Sequence, residues 1–480
     1  MLEHLEPQAV LRRFEELAAI PRGSGHTKAV SDHCAAFAEA RGLDCRQDAL
    51  GNVVISAPAA PGYEGSPAVI VQGHLDMVCA KAPGCEKDME REGVTLRVDG
   101  DWLSAEGTTL GGDDGAGVAI ALALLDDPAI PRPRLEAVFT VDEETGMFGA
   151  QGLDAEGLQG RTVLNLDSEA EGVFTVSCAG GTRANCAWSF PVGKDRGLPV
   201  TLEISGLTGG HSGVEIDKGR ANANVLMGRL LHELEKHAAL RLISLEGGEA
   251  DNAIPTRCAA RLALRPKRLD ALLAVVEHCR AAFAGEYRVS DPSLTLRCEV
   301  GGEEKLKALS PADSARLIDA LLLFPGGVQA MSLDMPGLVE TSLNLGILRL
   351  EHGRARMSFS LRSSVASRKE LLRDRVSRVC ALTGGSVAFA GDYPAWEYRA
   401  ESPLRDRMVE IYRRMFGQEP QIVAIHAGLE CGILAGKLPG MDCVSIGPQM
   451  EHIHTPDERL SLSSLARTWE FVKEILRESR

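Results

Sequence analysis

The chain has 480 residues, 44% hydrophobic and 25% charged, enough apolar material for a sizeable core and too much chain for one ordinary domain. Its 52 basic and 67 acidic residues leave a net charge of −15. With no dense Lys/Arg block, that balance excludes the basic face of a nucleic-acid binder and attraction to an anionic membrane surface.

The opening Met1 to Val10 shows no basic segment followed by an apolar one, so no secretory signal is expected. Leu11 to Ile20 and Thr27 to Arg41 read as helices, and Asn52 to Ser56 and Val69 to Gln72 as strands. Gly117 to Asp126 reads as a helix apolar nearly all round, hence buried, and its run Val118 to Leu125 is far too short to span a bilayer. Leu135 to Val141 and Thr162 to Leu166 are strands again. Strands separated by helices predict an α/β domain with a mixed, mostly parallel sheet and helices on both faces.

Near Asn185 the texture changes. Pro191 to Pro199 is punctuated by Pro and Gly, and Thr201 to Ser205 alternates like a half-exposed strand. A helix at Asn222 to His237, a strand at Ala259 to Leu264, a helix at Leu269 to Ala284 and a strand at Leu294 to Val300 follow. They predict an inserted α+β domain with helices on one face of an antiparallel sheet. From Tyr393 the first texture resumes, with a helix at Pro403 to Phe416, a strand at Cys443 to Ile446 and a closing helix at Leu462 to Glu478. The expected organisation is a main domain in two segments, 1–184 and 393–480, interrupted by an insertion over 185–392. Twelve scattered cysteines with no C-x-x-C pair read as thiols in a reducing compartment, so a cytoplasmic location is expected.

Three strands end alike. Val69 to Gln72 leads to His74 and Asp76, Leu135 to Val141 to Asp142-Glu143-Glu144, and Thr162 to Leu166 to Asp167. In open α/β sheets the carboxyl ends of strands line the ligand crevice. A Gly-rich loop, Thr108 to Gly117, carries Asp113 and Asp114 into the buried helix, and a distant strand leads to His452 and His454. Taken singly, each reads as a surface His, a solvated turn or a capped helix start. Gathered at one rim, the carboxylates would repel one another unless a cation compensates. A pair of divalent metals is the simple remedy. Thiolate-free His/Asp/Glu ligation suits Zn, Mn or Co rather than Ca, and two metals about 3.5–4 Å apart share a bridging ligand.

The motifs "GHLDMV" (73–78), "GTTLGGDDGAG" (107–117), "DEETGMFGA" (142–150), "NLDSE" (165–169), "GGHSG" (209–213), "NAIP" (252–255), "HAGLECG" (426–432) and "HTPDE" (454–458) run in order along the chain. Together they resemble the Xaa-His dipeptidases, also called aminoacyl-histidine or cytosol non-specific dipeptidases. These belong to the dizinc clan that includes aminoacylases, peptidase T and carnosinases. The resemblance implies that His74 and Asp167 bind one metal, Glu144 and His454 the other, and Asp113 both. Asp76 would accept the remaining N–H of His74 and fix its tautomer. Glu143 would be the general base and acid. Asp114 stands where the family often has Asn, adding a negative charge.

The resemblance extends to the insertion as a lid and dimerisation domain. His211, which alone reads as a structural turn His, would contact the oxyanion, often in the partner subunit's site, so a homodimer is implied. Arg362, alone a strand-end Arg in a surface pair, would hold the substrate's C-terminal carboxylate. Asn252 would hydrogen-bond substrate, and Glu430, otherwise a loop Glu, would receive a free α-amine. The implied function is hydrolysis of unblocked dipeptides, with Xaa-His among the candidates, by two divalent metals and a Glu-assisted water. The implied partner is a small peptide, with no nucleic acid and no membrane. Aminoacylase, tripeptidase and carboxypeptidase activities are the rivals within this chemistry. A non-catalytic binding protein would need a lost base or ligand, and none is lost.

Overall fold

Alternate residues of a strand face opposite sides of its sheet, so a strand buried at every position is covered on both faces. In the computed structural model, which describes residues 2–480, Val69–His74 and Leu135–Thr140 are such strands. They lie inside an eight-stranded sheet in the order Asp44–Gln47, Val53–Ala57, Leu135–Thr140, Val69–His74, Thr162–Asn165, Asp442–Ser445, Val173–Cys178, Gln421–Ile425. The central four strands pair in parallel. Antiparallel pairs flank them, so the sheet is mixed.

Parallel neighbours need a crossover, and the helix Gly112–Asp126 lies in the connection between Val69–His74 and Leu135–Thr140. Its residues from Gly112 to Leu125 are all buried, as their unbroken apolarity requires. Asp113 (φ −82, ψ 113) and Asp114 (φ −105, ψ 33) depart from helical dihedrals, so the regular helix begins after them. Their side chains therefore stand on a bent entry segment rather than on a helical face.

Register then gathers the strand ends. His74 lies opposite Thr140, Gln72 opposite Asn165, and Asn165 opposite Ser445. The residues that follow, including Asp76, Glu143, Glu144 and Asp167, leave the sheet along one edge. A small sheet of Met450–Glu451, Arg459–Ser461, Trp102–Ala105 and Leu96–Asp99 anchors both sides of the segment carrying His454.

The chain divides into two compact units, one of residues 2–177, 398–424 and 429–480, the other of 178–397 and 425–428. The second begins earlier than position 185 because the strand Gly180–Ser189 belongs to its sheet. That sheet has ten strands, eight of them on a main path running from Thr295–Val300 to Ser386–Tyr393. Gly180–Ser189 alternates between buried and exposed residues, as expected when one sheet face is wet. The helices Ala223–Glu235, Leu269–Glu286, Pro311–Leu323 and Ala366–Thr383 contribute to the unit's apolar core. All but the first residue of the Pro/Gly-punctuated stretch 191–199 falls within the long strand Val192–Ser205. That strand changes partners along its length, pairing with Glu304–Leu309 and then with Thr295–Val300.

Leu122 is fully buried in the crossover helix. Leu122→Ala is expected to lower stability by about 2–5 kcal/mol through lost burial and a residual cavity, measured as a lower denaturant midpoint with an unchanged m-value.

Candidate functional site

At the rim of the eight-stranded sheet, two imidazoles meet one carboxylate. His74 Nε2 lies 3.0 Å from Asp113 Oδ1 and 3.5 Å from Asp167 Oδ1. His454 Nε2 lies 3.2 Å from Asp113 Oδ2 and 3.0 Å from Glu144 Oε1. Each oxygen of Asp113 thus faces a different imidazole, and each imidazole has a further carboxylate. Potential ligand atoms of His74, Asp113 and Glu144 all lie within 4.8 Å of one another.

Donor chemistry tests whether metal fits. His74 Nδ1 lies 3.2 Å from the Asp76 carbonyl and 3.5 Å from its carboxylate, both acceptors, so the proton of a neutral ring belongs on Nδ1. Nε2 then points a lone pair at two carboxylates. That arrangement is repulsive unless the ring is protonated or a cation sits between. The same carboxylates pull the imidazoles' pKa values upward. Burial opposes charge on His74, but Asp167, Asp113 and Asp76 together raise its pKa well above the ordinary value. Hydrogen bonds to the Asp113 and Glu144 carboxylates raise His454 to about 10. Burial opposes ionisation of Asp113, but its two imidazole partners prevail and lower its pKa. Burial raises Asp167 well above the carboxylate range. Glu143 rises to about 8 through burial, reinforced by Glu430, Glu144 and Asp113. The carboxylate excess is the electrostatic signature of a cation site, and the residues fit one.

The surrounding sequence is shaped to this cluster. Asp76 is fully buried and accepts the N–H groups of Glu143 (3.0 Å) and Glu144 (3.3 Å) and the Ser24 hydroxyl (2.7 Å). It thereby ties the His74 turn to the Glu143–Glu144 turn. Asp114 turns the other way, accepting the N–H groups of His74 and Gly117, each at 3.1 Å. A Cβ at Gly73 would lie 2.1 Å from Asp114 Oδ2, and one at Gly117 would lie 2.4 Å from Oδ1. The carboxylate therefore requires both glycines. Asp142 (φ 55) and His454 (φ 62) occupy the left-handed region, strain of the kind that clusters at functional sites. A cavity of about 720 Å³, lined in part by Ser24, Met77, Met89, Glu90 and Thr145, adjoins Glu144 and suits a small ligand.

Glu430, expected to receive a substrate amine, lies inside the first unit. It is fully buried, and its Oε2 accepts from Gln72 Nε2 and Thr140 Oγ1, both at 2.6 Å. Burial raises its pKa to about 7. It is an internal group beneath the strand ends, where the helix Glu430–Lys437 carries its first side chain inward, and its Oε1 has no hydrogen-bond partner.

His211, Asn252 and Arg362 belong to the second unit. His211 Nδ1 accepts the N–H groups of Gly213 and Val214, each at 3.2 Å, which leaves the proton of the neutral ring on Nε2. Burial and then Arg362 lower its pKa. The Asn252 carbonyl accepts the Ser212 N–H at 2.8 Å, while the residue itself is exposed. Arg362 Nη1 donates to Tyr393 Oη at 3.2 Å.

His426 was not singled out in the sequence, although it opens the motif quoted for Glu430. Its Nε2 lies 2.7 Å from Ser342 Oγ, and burial, Arg362 and His211 lower its pKa to about 3. Ser342 is the cross-strand partner of Arg362. Ser212 Oγ, Arg362 Nε and His426 Nδ1 are all buried without a partner. Each orphan costs free energy unless something accepts or donates to it, and here they gather in one unit.

A sequence profile of the peptidase family M20/M25/M40 matches residues 70–478. The cytosol non-specific dipeptidase of Escherichia coli (strain K12) is 35% identical over 484 aligned positions, covering 99% of each chain. The crystal structure of aminoacylhistidine dipeptidase from Vibrio alginolyticus superposes with a TM-score of 0.93 at 34% identity, over 99% of this chain and 97% of that one. Aminopeptidase PepT from Bacillus cereus, at 16% identity and a TM-score of 0.55 over 99% of both chains, shares the fold.

The raised Glu143 pKa sets a pH dependence in metal-free protein. Between its ordinary 4.5 and about 8, the folded state keeps a proton that the unfolded chain releases. The native state then binds more protons, so this group's contribution to stability falls as pH rises through that window. Glu143→Gln is expected to flatten the fall, read as the thermal midpoint against pH with metal chelated. Parallel curves for the two proteins would contradict the shift.

Proposed function

Because the chain belongs to the peptidase family M20/M25/M40, we propose that it is a dinuclear metallo-dipeptidase that hydrolyses unblocked dipeptides, with Xaa-His substrates among the candidates. The observation that carries this reading is Asp113, whose two oxygens face two separate imidazole–carboxylate pairs. His74, Asp167 and Asp113 would hold one ion and His454, Glu144 and Asp113 the other. Zinc suits this thiolate-free set, with Mn or Co as alternatives. Ions bound there supply Lewis acidity, activating water and polarising the scissile carbonyl.

The chain's own residues do the rest. Asp76 holds His74 in the tautomer that presents Nε2. Glu143 takes the proton of the attacking water and delivers it to the leaving amine. His211 donates from Nε2 to the developing oxyanion. Arg362 binds the substrate's terminal carboxylate, joined by His426 Nδ1 and Ser212 Oγ, whose unpartnered atoms support an anionic ligand. Asn252 adds a hydrogen bond to substrate. The reading places the protein in the cytosol as a homodimer whose His211 serves the partner's metals. No helix among the described residues is long and apolar enough to cross a membrane.

Glu143→Gln is expected to keep its metal and lose about 10²- to 10⁴-fold in kcat, checked by metal analysis beside dipeptide assays; ordinary turnover would remove Glu143 as the base. Asp113→Ala is expected to lose both ions, and two retained ions per chain would exclude it as the shared ligand. Arg362→Ala is expected to raise KM for dipeptides but not for dipeptide amides, which lack the terminal carboxylate. Equal effects on both would break that assignment. Faster cleavage of acetylated amino acids than of free dipeptides would favour the aminoacylase rival. Mixing His211→Ala with Glu143→Gln chains tests the partner arrangement, since verified heterodimers that stay inactive would overturn it.

A further inference from the structure

Two buried charged side chains beside the metal cluster touch backbone rather than the imidazoles. Glu458 lies four residues beyond His454 and is 2% exposed. Its Oε2 accepts the N–H groups of Leu110 (2.8 Å) and Gly111 (3.0 Å). Its Oε1 accepts those of Gly112 (2.8 Å) and Asp113 (3.4 Å). Successive N–H groups aimed at one carboxylate form an anion nest, here at the entry of the helix Gly112–Asp126. Gly111, at φ 69, supplies the left-handed residue that turns the backbone inward.

Arg22, 3% exposed, grips the same loop from the other side. Its Nη1 donates to the carbonyls of Leu75 and Asp76, each at 3.0 Å, and its Nη2 donates to the Gly111 carbonyl. The guanidinium therefore links the His74–Asp76 turn to the Asp113 loop. The Glu458 carboxylate links that loop to the segment carrying His454. These three segments come from widely separated parts of the chain, and each carries a group facing the shared site.

We propose that Arg22 and Glu458 are positioning residues that lock the three ligand-bearing segments together before metal arrives, so that Asp113 presents both oxygens at once. The proposal rests on the reading of Asp113 as the shared ligand. Its physical basis is preorganisation. A loop that already holds its ligand geometry loses less conformational freedom when an ion binds, so the clamp contributes to metal affinity beyond any contribution to folding.

Glu458→Gln removes the charge and half the acceptor capacity while keeping the shape. Arg22→Lys keeps the charge but cannot span three carbonyls. Both variants and the wild type are titrated with Co(II) against a chromophoric chelator, with visible cobalt spectra recorded at saturation and folding checked by thermal melting. The expected result is cobalt binding weakened roughly 10- to 100-fold in each variant, with an altered cobalt spectrum even when saturated. Wild-type affinity and spectrum in a folded variant, including one with a lowered melting temperature, would overturn the clamp and leave the metal reading standing. Should Glu458→Gln fail to fold, Arg22→Lys carries the same comparison. A wild-type protein that binds no cobalt would overturn the metal reading and the clamp with it.

Discussion

Crowding of negative charge at a buried rim is the constraint around which the first unit is built. Asp113, Asp167, Glu143 and Glu144 converge near two imidazoles, with Asp76 and Asp114 packed behind them. Two unit charges 4 Å apart interact by about 4 kcal/mol at an effective dielectric of 20, so several ionised carboxylates cannot share this space without positive partners. The shifts record that pressure. Both imidazoles are pushed toward the charged form, while Asp167 and Glu143 are pushed toward the neutral one. Positive charge bound among these groups would relieve these tensions together.

Much of the neighbouring structure is explained by holding that cluster in place. Parallel strands stop in register so that their following residues share an edge. Gly73 and Gly117 lack side chains because the Asp114 carboxylate lies where a Cβ would be. Backbone N–H groups satisfy Asp114 and Glu458, and backbone N–H groups together with the Ser24 hydroxyl satisfy Asp76. Asp113, Asp167 and Glu144 face imidazoles instead, and Asp113 alone of the three faces both.

The second unit has the opposite electrostatics. Burial and the Arg362 guanidinium lower the pKa values of His211 and His426, so these rings act as neutral hydrogen-bond donors and acceptors rather than cations. Each neutral ring keeps one N–H to donate. A guanidinium beside it, with an unpartnered Nε, suits a carboxylate. Crowded carboxylates in one unit and neutral imidazoles beside a guanidinium in the other set the two units apart chemically.

Local pattern was enough to foresee the main elements of the first unit and the type of chemistry, but few of the strands of the second. The unbroken apolarity of Val118 to Leu125 foretold a buried helix, and the strand runs ending in His74, Glu143 and Asp167 foretold a common rim, because strand periodicity and side-chain chemistry are local properties. Pairing was not local. Nothing in "HAGLECG" alone shows that Glu430 is sealed against Gln72 and Thr140 while His426 sits beside Arg362's strand partner. The role of the Glu that ends "HTPDE" emerges only when its carboxylate meets four backbone N–H groups more than 340 residues earlier. Which carboxylate faces an imidazole and which faces backbone depends on distances between distant segments, and those distances exist only once the chain has packed.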